Sequence, residues 1–467
     1  MTAQSSAVDG VAVLWEERPG PLAGLLTFGV GTLDEGLSEL GYCLAVQAHA
    51  LAGARPRVDA ATDQGGGETT SFAALGSPDA VGAYFAALCE ALSRPIDALS
   101  DVDYDDRVTD YLTDPVHTDP WAAQVARRLR AYDRWPPARP VPAEVARFRD
   151  TWFVAANAVL VLTGPPPANL RLPLRTGPRP AHPVRSVTGM PSTWYADSVA
   201  APSLSLVAPD AGTAYPVVRA LTWRIDNALR KAKQPVECFP DAIGFAPDGY
   251  LFGLNLGSLR TSRGGDAAQQ AEVLWTEVRR FAQEGPSVAD LDQMRGVRAP
   301  KLPESLLQWR SVFALSAEAD RELLGYTVEA DEADDQTPVE MAAVAAALLP
   351  SAVMVVPYGA RPSLPGLNET SCWDATYLPP GDEVKLPLLR RRTNRPRLVI
   401  GADSVSTVDE FGAVHTIPAA DLLVLTGDDG LWLGHSGHGC AVDISAYATA
   451  KERLAALVPP DRLRISR

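Results

Sequence analysis

The chain of 467 residues sets 42 Lys and Arg against 57 Asp and Glu, a net charge of −15, with 46% hydrophobic and 21% charged residues. That length allows two or three domains with substantial cores, and the composition is ordinary for soluble globular protein. The acidity argues against a nucleic-acid partner and against docking on anionic lipid, and no apolar run approaches the roughly 20 residues of a membrane helix.

The start, Met1 to Gly10, lacks the basic region and apolar stretch of a secretory signal. Cys43, Cys89, Cys238, Cys372 and Cys440 are dispersed without a C-x-x-C pair, which reads as buried thiols in a reducing compartment and makes a cytoplasmic location the expectation. Abundant Ala, Arg, Pro and Gly associate the chain with a GC-rich bacterial genome.

In chain order, a strand over Leu25 to Val30 leads through an acidic turn, Gly31 to Glu35, into a helix over Leu37 to Leu51. Leu37, Leu40, Leu44, Ala48 and Leu51 recur at helical spacing, so positions 44 and 48 share a face with Gln47 beside them. A Gly- and Thr-rich strand, Gly65 to Phe72, follows, then an amphipathic helix over Pro78 to Ser93 and an acidic one over Asp103 to Leu112. A helix at Ala143 to Trp152 precedes the apolar strand Ala158 to Leu162, closed by Thr163 and Gly164.

Pro165 to Pro191, rich in Pro, Arg and Gly, reads as a linker. Beyond it come a strand (Ser203 to Val207), a long helix (Tyr215 to Lys231), a hairpin (Pro235 to Leu256), a helix (Val339 to Leu349) and the strand Ala352 to Gly359. The two helix-then-strand endings lie about two hundred residues apart, too long for a solenoid repeat and suited to a duplicated α+β domain. Two unrelated domains that each end on a buried strand are the plainer alternative.

After a connector from Pro362 to Arg397, strands are expected at Arg397 to Ile400, Ser404 to Val408, Val414 to Ile417, Leu422 to Leu425, Leu431 to Leu433 and Cys440 to Ile444. A terminal helix is expected near Ala446 to Val458. This order resembles a pleckstrin-homology-like fold.

The layout of residues 10–360 resembles the insulinase/pitrilysin-type metallopeptidase family, whose members include the mitochondrial processing peptidase. In that family the first helix carries H-x-x-E-H, two zinc-binding histidines and a glutamate base. Here the three positions hold Leu44, Gln47 and Ala48. Leu and Ala offer zinc no lone pair, and Gln cannot take a proton from water. The resemblance therefore implies a peptidase-like body without a metal or other cofactor and without catalytic residues. It places the third ligand on the Asp103 to Leu112 helix, with Asp110 the nearest acid, although a solvated acidic helix is the ordinary reading.

The resemblance also implies that Thr69, Thr70 and Ser71 lie on an edge strand pairing with substrate near Thr69 to Ala74. Arg230 falls on a substrate-grasping arginine whose tyrosine partner is replaced by Glu237; a plain helix-end cation explains Arg230 equally well. Other candidates read as structural: His435, His438 and Cys440 lack a fourth ligand, His49 points away from the zinc positions, Cys43 has no neighbouring base, and Asp331 to Asp335 form a solvated acidic run. Trp223, Trp275 and Trp309 sit in apolar helical patterns that mark core.

The expectation is thus an α+β protein: two homologous metallopeptidase-like α/β sandwich domains (residues 1–180 and 190–362), mostly antiparallel sheet with helices on one face, plus a C-terminal β-meander with a terminal helix (395–467). Functionally it reads as the inactive subunit of a heteromeric zinc peptidase. It would bind and enclose peptide substrate, such as a natural-product precursor, for a zinc-bearing partner of the same family, or else self-associate. A non-enzymatic scaffold is the alternative from another class.

Overall fold

The computed structural model describes residues 4–54, 58–65, 67–96, 119–129, 140–183, 185, 187, 192–246, 249–257, 266–288, 291, 319–320, 322–325, 336–370, 378–386, 397–408, 414–427, 430–435, 441–459 and 462–465. The acidic stretches expected at 103–112 and 331–335, together with Trp309, Cys372, His438 and Cys440, lie outside the described residues.

The first sheet contains β1 (Gln4–Val8), β2 (Val11–Trp15), β3 (Leu22–Phe28), β4 (Ala60–Gly65), β5 (Thr70–Gly76) and β6 (Ala158–Leu162), in the order β1-β2-β6-β3-β5-β4. Asp9 and Gly10, with φ of 51° and 87°, turn β1 into β2. Two successive positive φ values are what a tight two-residue hairpin demands, and Asp-Gly is a favoured pair for it. Alternation along the strands sends Leu26, Phe28, Phe72, Ala74, Leu160 and Leu162 to one face. That face is covered by α1 (Tyr42–Gly53), α2 (Pro78–Ser93) and, beyond α3 (Pro120–Leu129), α4 (Pro142–Trp152); Val46, Phe85, Leu88 and Phe148 of α1, α2 and α4 fill the core.

The second sheet contains β7 (Thr193–Asp197), β8 (Ser203–Ala208), β9 (Glu237–Ala246), β10 (Gly249–Gly257), β11 (Val353–Pro357) and β12 (Asn368–Glu369), in the order β12-β7-β11-β8-β10-β9. Helices α5 (Ala211–Lys231), α6 (Ala267–Glu284) and α7 (Pro338–Leu348) cover one face through Val217, Leu221, Ile225, Leu274, Phe281 and Met341. Five consecutive positions of the two sheets correspond in order and in strand direction, including the single parallel pair near one end of each run, β2 with β6 and β7 with β11. The two sheets repeat one plan. They differ at the first edge, where β1 enters antiparallel and β12 parallel.

Each sheet's other face is packed by a helix from the opposite half. Helix α3 (Pro120–Leu129) follows the first half's α2 in sequence yet lies on the second sheet, with Ala123 against Tyr195, Val353 and Val355, and Val125 and Leu129 against Ile243 and Leu251. Conversely Ala319 and Leu323 pack on Val159 and Val161 of β6. Gln124, fully buried, donates through Nε2 to the carbonyls of Ser203 and Val353 at 3.0 and 2.9 Å and accepts from the Ser205 hydroxyl at 2.9 Å. Arg127 lies over the Tyr195 ring at 3.8 Å, and Arg128 donates to the Ser351 carbonyl. The sequence reading did not anticipate α3, although Asp119 before Pro120 is an N-cap followed by proline at the first helical position.

The segment expected to be a plain linker is strapped to both halves where it is described. Arg171 pairs with Asp9, Arg175 with Asp150, Arg179 with Glu322, and Arg185 with Asp34. Its Pro/Arg composition marks missing secondary structure, but guanidinium forks make it an ordered brace.

The C-terminal part forms two four-stranded sheets. One is β13 (Asp382–Glu383), β14 (Arg397–Ile400), β15 (Ser404–Val408) and β16 (Val414–Pro418); the other runs β19-β18-β17-β20, from β17 (Leu422–Gly427), β18 (Gly430–His435), β19 (Ala441–Asp443) and β20 (Leu463–Ile465). The expected terminal helix is reduced to α8 (Lys451–Ala455) after a 3₁₀ stretch, because Tyr447 leaves helical geometry. A strand not foreseen, β20, then pairs parallel with β17.

Candidate functional site

The site begins with the start of α1. The apolar spacing predicts a helix from Leu37, but Gly41 adopts φ 88° and the helix opens at Tyr42. A left-handed residue cannot continue a right-handed helix, so Leu37 and Leu40 lie outside it. Both are instead buried against Leu423, Leu425 and Trp432 of β17 and β18. The amino end of α1 is capped by Glu35, whose carboxylate accepts from the Gly41 and Cys43 N–H groups at 2.9 and 2.6 Å. Burial pushes the Glu35 carboxyl up to about 7 against the pull of those two N–H donors.

On α1 the three positions of interest are hydrocarbon, amide and hydrocarbon. Leu44 is half-buried, Gln47 and Ala48 are buried, and among the described residues the Gln47 Nε2 meets no acceptor. Among the described residues no group of three or more His, Cys, Asp or Glu could hold a metal ion. The other side chains of α1 serve packing. Cys43 is buried, and burial together with the neighbouring Glu35 raises its thiol pKa well above the usual range, so it holds no reactive thiolate. His49 turns its Nε2 to the Ala91 carbonyl at 3.1 Å, and burial lowers its pKa.

The expected edge strand is an interior one. Thr70 to Leu75 pair with β3 on one side and with β4 on the other, leaving β4, Ala60–Gly65, at the edge. The Gly- and Thr-rich pattern marked a strand correctly, but edge position is a property of the sheet and not of the segment. Thr70 donates its hydroxyl to the Val30 carbonyl at 2.8 Å, Ser71 bonds the Thr27 hydroxyl at 3.1 Å, and Thr69 is half-buried in the approach to β5.

Arg230 is exposed at the last turn of α5, its fork on the Asp226 carbonyl and the Asn227 side chain, its guanidinium 5.8 Å from the Trp223 ring centre. This is the helix-end arrangement. Glu237 stands exposed at the start of β9. Trp275 is core, with its N–H on the Pro365 carbonyl, and Trp223 is half-buried.

The acidic turn before α1 makes contacts that the sequence reading did not foresee. Asp34 is buried and accepts from Arg185 at 2.6 Å, His182 Nδ1 at 3.0 Å and the Gly31 N–H at 3.0 Å. Leu33 packs with the α3 and β9 apolar cluster. The turn therefore touches the second sheet through Leu33, the brace through Asp34, α1 through Glu35, and the C-terminal sheets through Leu37 and Leu40. The sequence signal was the Asp-Glu pair inside an apolar stretch, which composition alone reads as a solvated turn.

No protein-family model and no curated protein matches the sequence. Solved structures do. The inactive domain of a peptidase M16 from Pseudomonas fluorescens is 13% identical, with 78% of this chain and all of that one covered, at a TM-score of 0.53. The fold is that of the insulinase/pitrilysin-type metallopeptidases. A chain of Complex III2 from Candida albicans is 13% identical over 76% of this chain and 95% of its own, at a TM-score of 0.56. Pitrilysin is 14% identical at a TM-score of 0.50, with 76% of this chain covering 44% of that chain, so the protein spans less than half of pitrilysin's length. At these identities the likeness is one of fold. Among the described residues no helix is long and apolar enough to cross a membrane.

Proposed function

We propose that the chain is a catalytically inactive, peptidase-like subunit that binds peptide and helps enclose it for a zinc-bearing partner of the same fold. The observation that carries this reading is the chemistry of Leu44, Gln47 and Ala48: two hydrocarbons and a neutral amide where water activation needs two imidazoles and a carboxylate. The likeness to an inactive M16 domain supports it. Peptide would add in extended form at a sheet edge and not at the interior β5; such pairing gives affinity with little sequence selectivity.

The decisive experiment mixes the chain with a zinc peptidase of this fold encoded beside it and measures peptide cleavage with and without the chain. Cleavage that rises only in the mixture supports the reading. Association with a non-peptidase enzyme, and no effect on cleavage, replaces it with a scaffold role. Stoichiometric zinc in the purified chain together with chelator-sensitive cleavage overturns it.

Restoring the motif is a second check. The triple variant Leu44→His, Gln47→Glu, Ala48→His is expected to remain about ten- to a hundredfold below an ordinary zinc peptidase, because restored histidines would still want the partners that orient them. Zinc content and turnover of an unstructured peptide measure this; a fully active triple variant rejects it.

A further inference from the structure

Helices α5 and α6 leave a cavity of about 750 Å³ between them, a size that suits a small molecule. On α5 its wall is Arg224, Asn227, Ala228 and Lys231, at i, i+3, i+4 and i+7 and so on one stripe of the helix. Leu221, Ile225 and Leu229 of the same helix face the core. On α6, Glu277, Arg280 and Glu284 repeat the spacing, while Leu274, Val278 and Phe281 are core. Two helices thus bury their apolar stripes in one core and share a polar gap beside it. Ala228 sits in the middle of the α5 stripe, and its short side chain keeps that gap open.

The walls are polar and mostly pre-set. Arg224 donates through Nε to Glu277 at 2.6 Å and through Nη1 to the Gly285 carbonyl at 2.9 Å, with the two side chains only 13% and 16% exposed. Its Nη2 has Glu284 no nearer than 3.7 Å, and Glu284 takes Arg280 Nε at 2.9 Å. Asn227 accepts from Arg230 through Oδ1 at 2.8 Å, which fixes the amide and leaves Nδ2 as the group it can offer a ligand. Lys231, one turn on, has no carboxylate partner among the described residues. Three cations and two carboxylates give the cavity a charge of +1, in a chain that carries −15 overall.

We propose that this cavity is a binding site for a small polyhydroxylated monocarboxylate. The ligand's carboxylate lies over Ala228, where Lys231 and the Asn227 amide donate to it. Its hydroxyls donate to Glu277 and Glu284, whose carboxylates can only accept. A neutral ligand leaves the Lys231 charge without a partner, and a polyanion brings further negative charge against Glu277 and Glu284. An apolar acid strips water from both carboxylates and returns nothing. The site stands apart from the proposed peptide binding, since it lies between helices of the second half and uses no sheet edge.

The test is calorimetric titration of the full chain with sodium gluconate, beside acetate as the charge without the hydroxyls and sorbitol as the hydroxyls without the charge. Gluconate is expected to bind at least tenfold more tightly than either. Lys231→Gln, an exposed change that leaves the Arg224–Glu277 pair intact, is expected to weaken gluconate about tenfold, the scale of one hydrogen bond to a charged group. Ala228→Phe keeps every charge but fills the gap, and is expected to abolish binding. Should Ala228→Phe fail to fold, Ala228→Leu is expected to weaken gluconate at least tenfold. Absence of gluconate binding by the native chain, acetate or sorbitol binding as tightly, or binding unchanged by the Ala228 substitution overturns the site.

Discussion

Replacement of Gln124 by alanine is expected to lower the unfolding free energy by about 3 kcal/mol, since each buried group stripped of its partner costs about 1–3 kcal/mol. Gln124 reaches from α3 into the second sheet and contributes three hydrogen bonds at full burial. Its loss takes a side-chain donor from the buried Ser203 and Val353 carbonyls and leaves the Ser205 hydroxyl only the longer 3.3 Å bond to the Val353 carbonyl. Gln124→Glu sharpens the argument. It keeps an acceptor for Ser205 but turns a carboxylate toward the Ser203 and Val353 carbonyls, so it is expected to cost more than alanine despite its matching size. Urea denaturation of the three proteins measures both differences. An alanine effect below about 1 kcal/mol would mean that α3 is held by its apolar contacts and its two arginines, with little from Gln124.

The second large effect is a pH dependence that originates at Glu35. The carboxyl is pushed from 4.5 to about 7 by burial, so the folded state holds a proton that the unfolded chain has already released. Stability is therefore greatest below about pH 4.5 as far as this group is concerned, falls as pH rises to about 7, and is level above. At 1.36 kcal/mol per pKa unit the loss is on the order of 3 kcal/mol. Glu68, raised to about 8, and Asp241, raised to about 6 chiefly by burial, act in the same direction. Glu35→Gln cannot ionise. It is expected to be slightly less stable than the native chain at pH 5, because an amide satisfies the Gly41 and Cys43 N–H groups less well, and to lose less on going to pH 8.5. Denaturation midpoints at the two pH values test this; parallel shifts for both proteins would place the burden on carboxylates other than Glu35.

Both results bear on what could be read without coordinates. Strands such as Ala158–Leu162 and helices such as Pro78–Ser93 were legible because their apolar periodicity is strong and their ends carry Gly, Ser and Pro signals. The Asp9-Gly10 hairpin and α3 were equally signposted but passed over, since short strands and a ten-residue helix with two arginines near its end do not stand out by composition. The helix start at Leu37 failed for a different reason. Leu37 and Leu40 are apolar because a distant sheet covers them, and helical spacing cannot distinguish that from a helix face.

What the order of residues determined by itself is the chemistry that α1 lacks. No folding can give Leu44 or Ala48 a lone pair, or make Gln47 a base. The tertiary structure alone decided which groups are buried together: Asp34 with His182 and Arg185, Gln124 with Ser203 and Val353, Leu40 with Leu425. It also decided which strand lies at the edge. The physical reason is the length of chain between these partners. A side chain's donors and acceptors are local facts, but whether they are buried and whom they meet is settled only when loops of 79 residues and more have closed.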